Sequence, residues 1–178
     1  HCFTCTKEIG AAVRIATELV GHGVAVLRFD FAGLGASQGD FSRQTFSKNV
    51  SDVVHAARWM QEKNRPPHLL IGHSLGGAAV LAAAGAIEPA RAVVTIGAPS
   101  EPGHVQRLFE AEVEKIRLHG ASDVRLAGRE ITLTREFVDD VANYNLSRKL
   151  ARLDAALLIL HAPEDQVVDI SEAAKIYR

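Results

Sequence analysis

Cysteine is scarce: Cys2 and Cys5 are the only two in 178 residues. That excludes a small scaffold stapled by several disulfides and suits a reducing compartment, so a cytoplasmic location is expected. Long apolar runs are missing as well. Nothing approaches the ~20 residues that a membrane-spanning helix requires, and the alanine-rich stretch 78–87 reads as a core helix. Basic blocks are absent, and the formal net charge of −1 offers no surface for nucleic acid or an anionic membrane. No second Cys/His pair stands at ligand spacing, which argues against zinc, and no cofactor is expected. An initiating methionine is also lacking. The chain begins at His1, so the natural N-terminus is expected upstream and targeting is open.

What is present is a core. Apolar residues make up 47% of the chain against 23% charged, the balance of one soluble globular domain. Ile9, Ala12, Val13, Ala16, Leu19 and Val20 recur at helical spacing up to Gly21-His22-Gly23. Residues 24–29 read as a strand, followed by a glycine-rich loop from Asp30 to Gly39. Phe46, Val50, Val53, Val54 and Ala57 give a second amphipathic helix that ends before Pro66-Pro67. Residues 69–71 and 92–97 read as strands on either side of the helix 78–87. Strands alternating with helices in this way predict an α/β fold, a parallel sheet covered on both faces.

Residues 100–150 break the alternation. Val105, Leu108, Phe109, Val113 and Ile116 predict an amphipathic helix, 124–133 a hairpin turning at 127–129, and a polar helix runs on to about Leu150. The segment is expected to be a lid inserted over the carboxyl edge of the sheet, within one domain spanning 1–178. Leu108, Phe109 and Ile116 are its candidate substrate contacts; the same stripe would equally pack the lid onto the domain. Residues 155–160 resume a buried strand, and a helix opens at Ser171.

The chemistry points to Gly72-His73-Ser74-Leu75-Gly76, a G-x-S-x-G sequence between a strand and a helix. A turn that tight forces the serine into a strained conformation and lifts its hydroxyl off the sheet edge. Neighbouring backbone passes so close that positions 72 and 76 tolerate almost no side chain. Ser74 would also sit at a helix N-terminus, where free N–H groups favour a developing oxyanion. The bland alternative is an ordinary glycine-rich turn. A nucleophilic serine needs an imidazole to take its proton and a carboxylate to orient that imidazole. Asp165, just past the carboxyl end of a strand, is the acid candidate, with Glu164 and Asp169 as rivals.

These motifs together resemble the α/β-hydrolase family, in particular its serine aminopeptidase and monoacylglycerol lipase-like group. His1-Cys2-Phe3 resembles the oxyanion loop, Asp30-x-x-Gly-x-Gly-x-Ser37 the loop after the fourth strand, residues 72–76 the nucleophile elbow, and Pro163 to Val168 the acid loop. The wording of the first two is similar to bacterial hydrolase domains joined to a C-terminal OsmC-type domain, a possible partner in the longer protein. The resemblance implies a three-layer α/β-hydrolase fold truncated at both ends, and a serine esterase acting on a small ester. It implies that backbone N–H groups of Phe3 and Leu75 form the oxyanion hole. Cys2 stands where the family usually has glycine. The family's catalytic histidine follows a later strand, so it is expected outside this chain. His73 should point away from the hydroxyl, His161 should cap a strand, and His22, His55, His68, His104 and His119 read as surface or lid residues. The family also places a strand between residues 24–29 and the elbow strand. Its absence from this sequence predicts that the two either stand apart or pair in another register.

Two other function classes compete. Cys2-Phe3-Thr4-Cys5 entering a helix is a thioredoxin-like dithiol pattern, against a plain reading as packing cysteines. A scaffold of this kind without a working triad would be a binding module. Gly33-Leu34-Gly35 after a strand hints at a dinucleotide site, but Gln38 replaces the third glycine.

Overall fold

The computed structural model describes residues 1–126 and 128–178. In chain order its elements are α1 (Gly10–Gly21), a 3₁₀ turn (Phe41–Arg43), α2 (Phe46–Glu62), β1 (Leu69–His73), α3 (Leu75–Ala84) and β2 (Ala92–Ile96). A 3₁₀ segment (Pro102–Phe109), α4 (Glu110–His119), β3 (Ala121–Leu126), β4 (Arg129–Thr134), α5 (Arg135–Asn143) and α6 (Ser147–Leu150) follow. β5 (Ala156–Leu160) and α7 (Ser171–Tyr177) close the chain. No described helix is long and apolar enough to cross a membrane.

β1, β2 and β5 form a parallel sheet in that order, with Leu69 opposite Ala92 and Ala92 opposite Ala156. Parallel pairing needs long crossovers, and α3 supplies the first. All ten residues of α3 are buried, because it packs on β1 and β2 while α2 covers its outer side. Its alanines and glycines let it sit that close: a Cβ at Gly72 would overlap the Gly76 carbonyl.

The expected strand at 24–29 forms no strand and joins no sheet among the described residues. It stands apart from β1 across a cavity of about 590 Å³ lined by Val24, Val26, Phe29, Met60, Leu69 and Ile71. The cover expected on both faces of the sheet, and the burial expected of the strand at 155–160, are incomplete. Here α1 flanks the cavity with Ala16 as its one buried residue, and Leu158 and Leu160 of β5 are exposed.

The chain between β2 and β5 forms the expected excursion, with two differences. The helix anticipated through Val105 to Ile116 breaks at Phe109 (φ −144°, ψ 36°), 3₁₀ before it and α after it. The segment expected to be a polar helix is amphipathic instead, with Phe137, Val138 and Val141 of α5 buried. The hairpin is β3 paired antiparallel with β4; Ala127, in the anticipated turn, lies outside the described residues. Polar anchors fix the excursion at both ends. Glu101 accepts from the Leu146 N–H (3.0 Å) and the Ser147 N–H (3.2 Å), and Asp140 accepts from the N–H and hydroxyl of Ser47 in α2 (2.8 and 2.6 Å).

α7 is tied to the exit of β2 by a buried carboxylate. Glu172 accepts from the Ser100 N–H (2.9 Å) and hydroxyl (2.6 Å) and from Lys175 Nζ (2.6 Å). Burial opposes ionisation there, but Lys175 and Ser100 outweigh it and lower the carboxyl to about 2. A depressed folded pKa stabilises fully above the ordinary value near 4.5, and the contribution is lost as pH falls toward about 2. Glu172→Gln should therefore flatten the dependence of unfolding free energy on pH between about 4.5 and 2, measured by urea titration; an unchanged slope would remove Glu172 from the acid response.

Candidate active site

β1 ends at His73 and α3 begins at Leu75, so a single residue makes the turn. Ser74 takes φ 54° and ψ −128°. Asn64 is the other non-glycine residue with positive φ among the described residues. Such a conformation costs on the order of 1–3 kcal/mol and persists only when its surroundings over-determine it. They do: the Ser74 N–H donates to Ile96 O (2.8 Å), and the Ser74 carbonyl accepts from the Gly77 N–H (2.8 Å). The hydroxyl does not cap the helix, which leaves Oγ available.

The segment starting at His1 lies on the elbow, for a Cβ at Gly76 would collide with the His1 carbonyl oxygen. Two hydrogen bonds fix the His1 ring and its tautomer. Nε2 accepts from the Phe31 N–H (3.1 Å), so Nδ1 carries the proton and donates to Cys2 O (2.9 Å). Next comes a turn closed by the Cys5 N–H on Cys2 O (3.3 Å), which makes no use of the Phe3 N–H. The Phe3 ring stacks on Phe137 (4.9 Å, 14°) and lies 5.6 Å from Phe41 and 6.4 Å from Phe109. The segment's far end is held by Asp30, which accepts from the Lys7 N–H and Nζ, both at 2.6 Å. Burial would raise the Asp30 carboxyl, but Lys7 and the Ala36 N–H outweigh it and hold it below the usual range. Phe3 is thus pinned beside the elbow. Leu75 contributes the first N–H of α3, which has no acceptor within its own helix.

Asp165 lies beyond β5, and its Oδ2 reaches β2: a Cβ at Gly97, where φ is 54°, would be 3.2 Å from that oxygen. Oδ1 accepts from the Val167 and Val168 N–H groups, both at 2.9 Å. The Val168 bond above all, with Val167 and against burial, holds the carboxyl below its usual range, so it is ionised. The rivals are placed differently. Asp169 accepts from the Ser171 N–H (2.8 Å) at the start of α7, and Glu164 is exposed.

The histidines divide as follows. His161 is buried, donates from Nε2 to Val168 O (2.7 Å) and lies 3.8 Å from Asp165 Oδ2, so it builds the acid loop. His73 Nδ1 is buried without a partner, and burial holds the imidazole below its ordinary range. His104, expected at the surface or in the lid, is half-buried on the 3₁₀ segment of the insertion. Burial and Arg107 lower its pKa, while Glu172 and Asp165 pull the other way. A lone histidine in an irregular segment carries no periodic signal, so sequence reasoning passed over its proximity to Asp165.

Of the candidate substrate contacts, Phe109 is buried in the aromatic cluster around Phe3, Leu108 is exposed, and Ile116 is completely buried inside the insertion. The cysteines, read from the sequence either as a dithiol pair or as packing residues, are joined in a disulfide. They also do not enter a helix: α1 starts at Gly10, too far along to stabilise a Cys5 thiolate. The Gly33-Leu34-Gly35 loop likewise opens no helix before Phe46. Among the described residues no cluster of His, Cys, Asp or Glu is arranged to hold a metal.

Residues 2–174 match the family model described as alpha/beta hydrolase family. The esterase domain of a Rhodothermus marinus protein is 40% identical, with a TM-score of 0.73, over 99% of this chain and 68% of that one. The palmitoyl-protein thioesterase ABHD10, mitochondrial, of Rattus norvegicus is 26% identical over 156 residues, 84% of this chain and 50% of its own length. The chain therefore spans about half the length of that relative. Est1E from Butyrivibrio proteoclasticus, solved with ferulic acid, superposes with a TM-score of 0.81 over 99% of this chain and 72% of its own, at 21% identity; this likeness is one of fold.

Glycine adopts the Ser74 conformation without steric cost. Ser74→Gly should therefore raise the unfolding free energy by about 1 kcal/mol despite the added chain entropy, read from the urea midpoint. A fall would mean that Oγ has a stabilising partner.

Proposed function

Because the chain belongs to the alpha/beta hydrolase family, we propose that it is the core of a serine hydrolase cleaving a carboxylic ester, or a similar acyl bond, through an acyl-enzyme on Ser74. The observation that carries the reading is the strained Ser74 between β1 and α3, with the free carboxylate oxygen of Asp165 at the end of β2 alongside. In this reading Oγ attacks the carbonyl carbon while an imidazole takes its proton. The carbonyl oxygen becomes an oxyanion that the Phe3 and Leu75 N–H groups receive, and collapse expels the alcohol. Asp165 Oδ2 accepts the imidazole Nδ1–H and fixes its tautomer. None of the eight histidines is hydrogen-bonded to Asp165 among the described residues, so the reading takes that imidazole from outside residues 1–178. The Rhodothermus and rat relatives, an esterase domain and a thioesterase, support acyl chemistry of this class. The insertion over residues 100–150 serves as the lid, and Phe109 beside Phe3 supplies an apolar wall for the acyl group.

In the complete protein, Ser74→Ala should reduce turnover of p-nitrophenyl esters to the residual ~10³–10⁴ over water that binding and the oxyanion hole give. Asp165→Asn should lower kcat on the order of 10⁴-fold, whereas Glu164→Gln and Asp169→Asn should leave it nearly intact. Unchanged turnover in Ser74→Ala would overturn the assignment, and a larger loss at Glu164 or Asp169 would move the acid.

A further inference from the structure

We propose that Cys2–Cys5 is a thiol–disulfide exchange site that sets the hydrolytic rate by fixing or releasing the Phe3 N–H; this rests on the reading of Phe3 as an oxyanion donor. The pair brackets Phe3 and Thr4, and its sulfurs are bonded in the segment lying on the nucleophile elbow. Everything else that holds this segment is non-covalent, and its polar anchors lie at its ends: His1 on Phe31 and Lys7 on Asp30. Between those anchors the turn has one backbone hydrogen bond, at 3.3 Å, and the stacked Phe3 ring. The disulfide is thus the one reversible covalent constraint on the backbone that would point at the oxyanion.

Position and chain length argue against a staple. A disulfide stabilises a fold mainly by closing long loops, and this one closes the shortest loop that a C-x-x-C sequence allows. Neither cysteine is fully buried: both are half-buried at the surface of the segment, where a thiol can approach. The pair does not open a helix of its own, since α1 begins only at Gly10, so it lacks the thioredoxin arrangement, and it serves as a target of exchange, not as an oxidant.

The reductant is a dithiol, either a small molecule or a protein. One of its thiolates attacks a cysteine sulfur, forms a mixed disulfide and expels the other cysteine as a thiolate. The second thiolate of the reductant then attacks its own sulfur in the mixed disulfide, closes the reductant's disulfide and releases the remaining cysteine. Two electrons and two protons pass to Cys2 and Cys5, and the dithiol is oxidised. Opening the ring frees the turn and disperses the orientation of the Phe3 N–H.

Dithiothreitol followed by iodoacetamide on the native protein should label both cysteines, and re-oxidation with oxidised glutathione, after the dithiothreitol is removed and before the iodoacetamide, should prevent it. Reduction should lower kcat on p-nitrophenyl acetate about ten-fold, part of the 10²–10³ lost when an oxyanion donor is deleted. KM should stay within about two-fold. Hydrogen exchange of residues 2–5 should quicken roughly ten-fold, and Cys5→Ser should behave like the reduced protein in either buffer. A disulfide that dithiothreitol leaves unlabelled, or full labelling with unchanged kcat or unchanged exchange, overturns the proposal. If exchange quickens while neither redox state hydrolyses ester, the hydrolase reading and the rate control fall together, and only the exchange site stands.

Discussion

The fold depends on one close backbone contact, that of the elbow with itself and with the segment above it. Gly72 faces the Gly76 carbonyl, and Gly76 faces the His1 carbonyl, each at a distance that leaves no room for a methyl group. Absence of side chains lets β1 turn straight into α3 and lets residues 1–3 approach the first turn of that helix. The same contact holds Ser74 at positive φ, where local energetics alone would not keep it. An error here would displace the serine, the helix N-terminus and the loop over it together.

Electrostatics repeats one device around this contact. Asp30, Asp165 and Glu172 each accept from backbone N–H groups, and two of them add a lysine. Together the bonds favour the ionised form more than burial disfavours it, so all three carboxyls are depressed. Two of them tie loops that are distant in sequence, Asp30 the segment over the elbow and Glu172 the exit of β2, while Asp165 closes its own loop and keeps Oδ2 free.

The insertion is bound to this frame from both sides. Asp140 reaches Ser47 at the start of α2, Glu101 closes its root, and Phe109 and Phe137 meet Phe3. The rings on Phe3 mean that anything moving the insertion also moves the segment with the candidate oxyanion donor.

The sequence by itself determined the local elements whose signal is periodic or steric. The glycines and serine of residues 72–76 announced a one-residue turn, because no other side chains fit one. The helical spacing of Phe46 to Ala57 and the apolar runs at 69–71, 92–97 and 155–160 announced α2, β1, β2 and β5. Tertiary structure decided what depends on partners. Residues 24–29 have the composition of a strand, but a strand exists only where another lies within hydrogen-bonding distance, and none does. Phe109 breaks a helix whose spacing was continuous, since burying its ring among Phe3 and Phe137 outweighs one more turn of α-helix. His104 acquires its proximity to Asp165 and Glu172, and Cys2 its bond to Cys5, only through packing and chain geometry. Spacing along a chain reports what a residue is next to in its own element, whereas charge, strain and covalent pairing depend on what folding brings across from another.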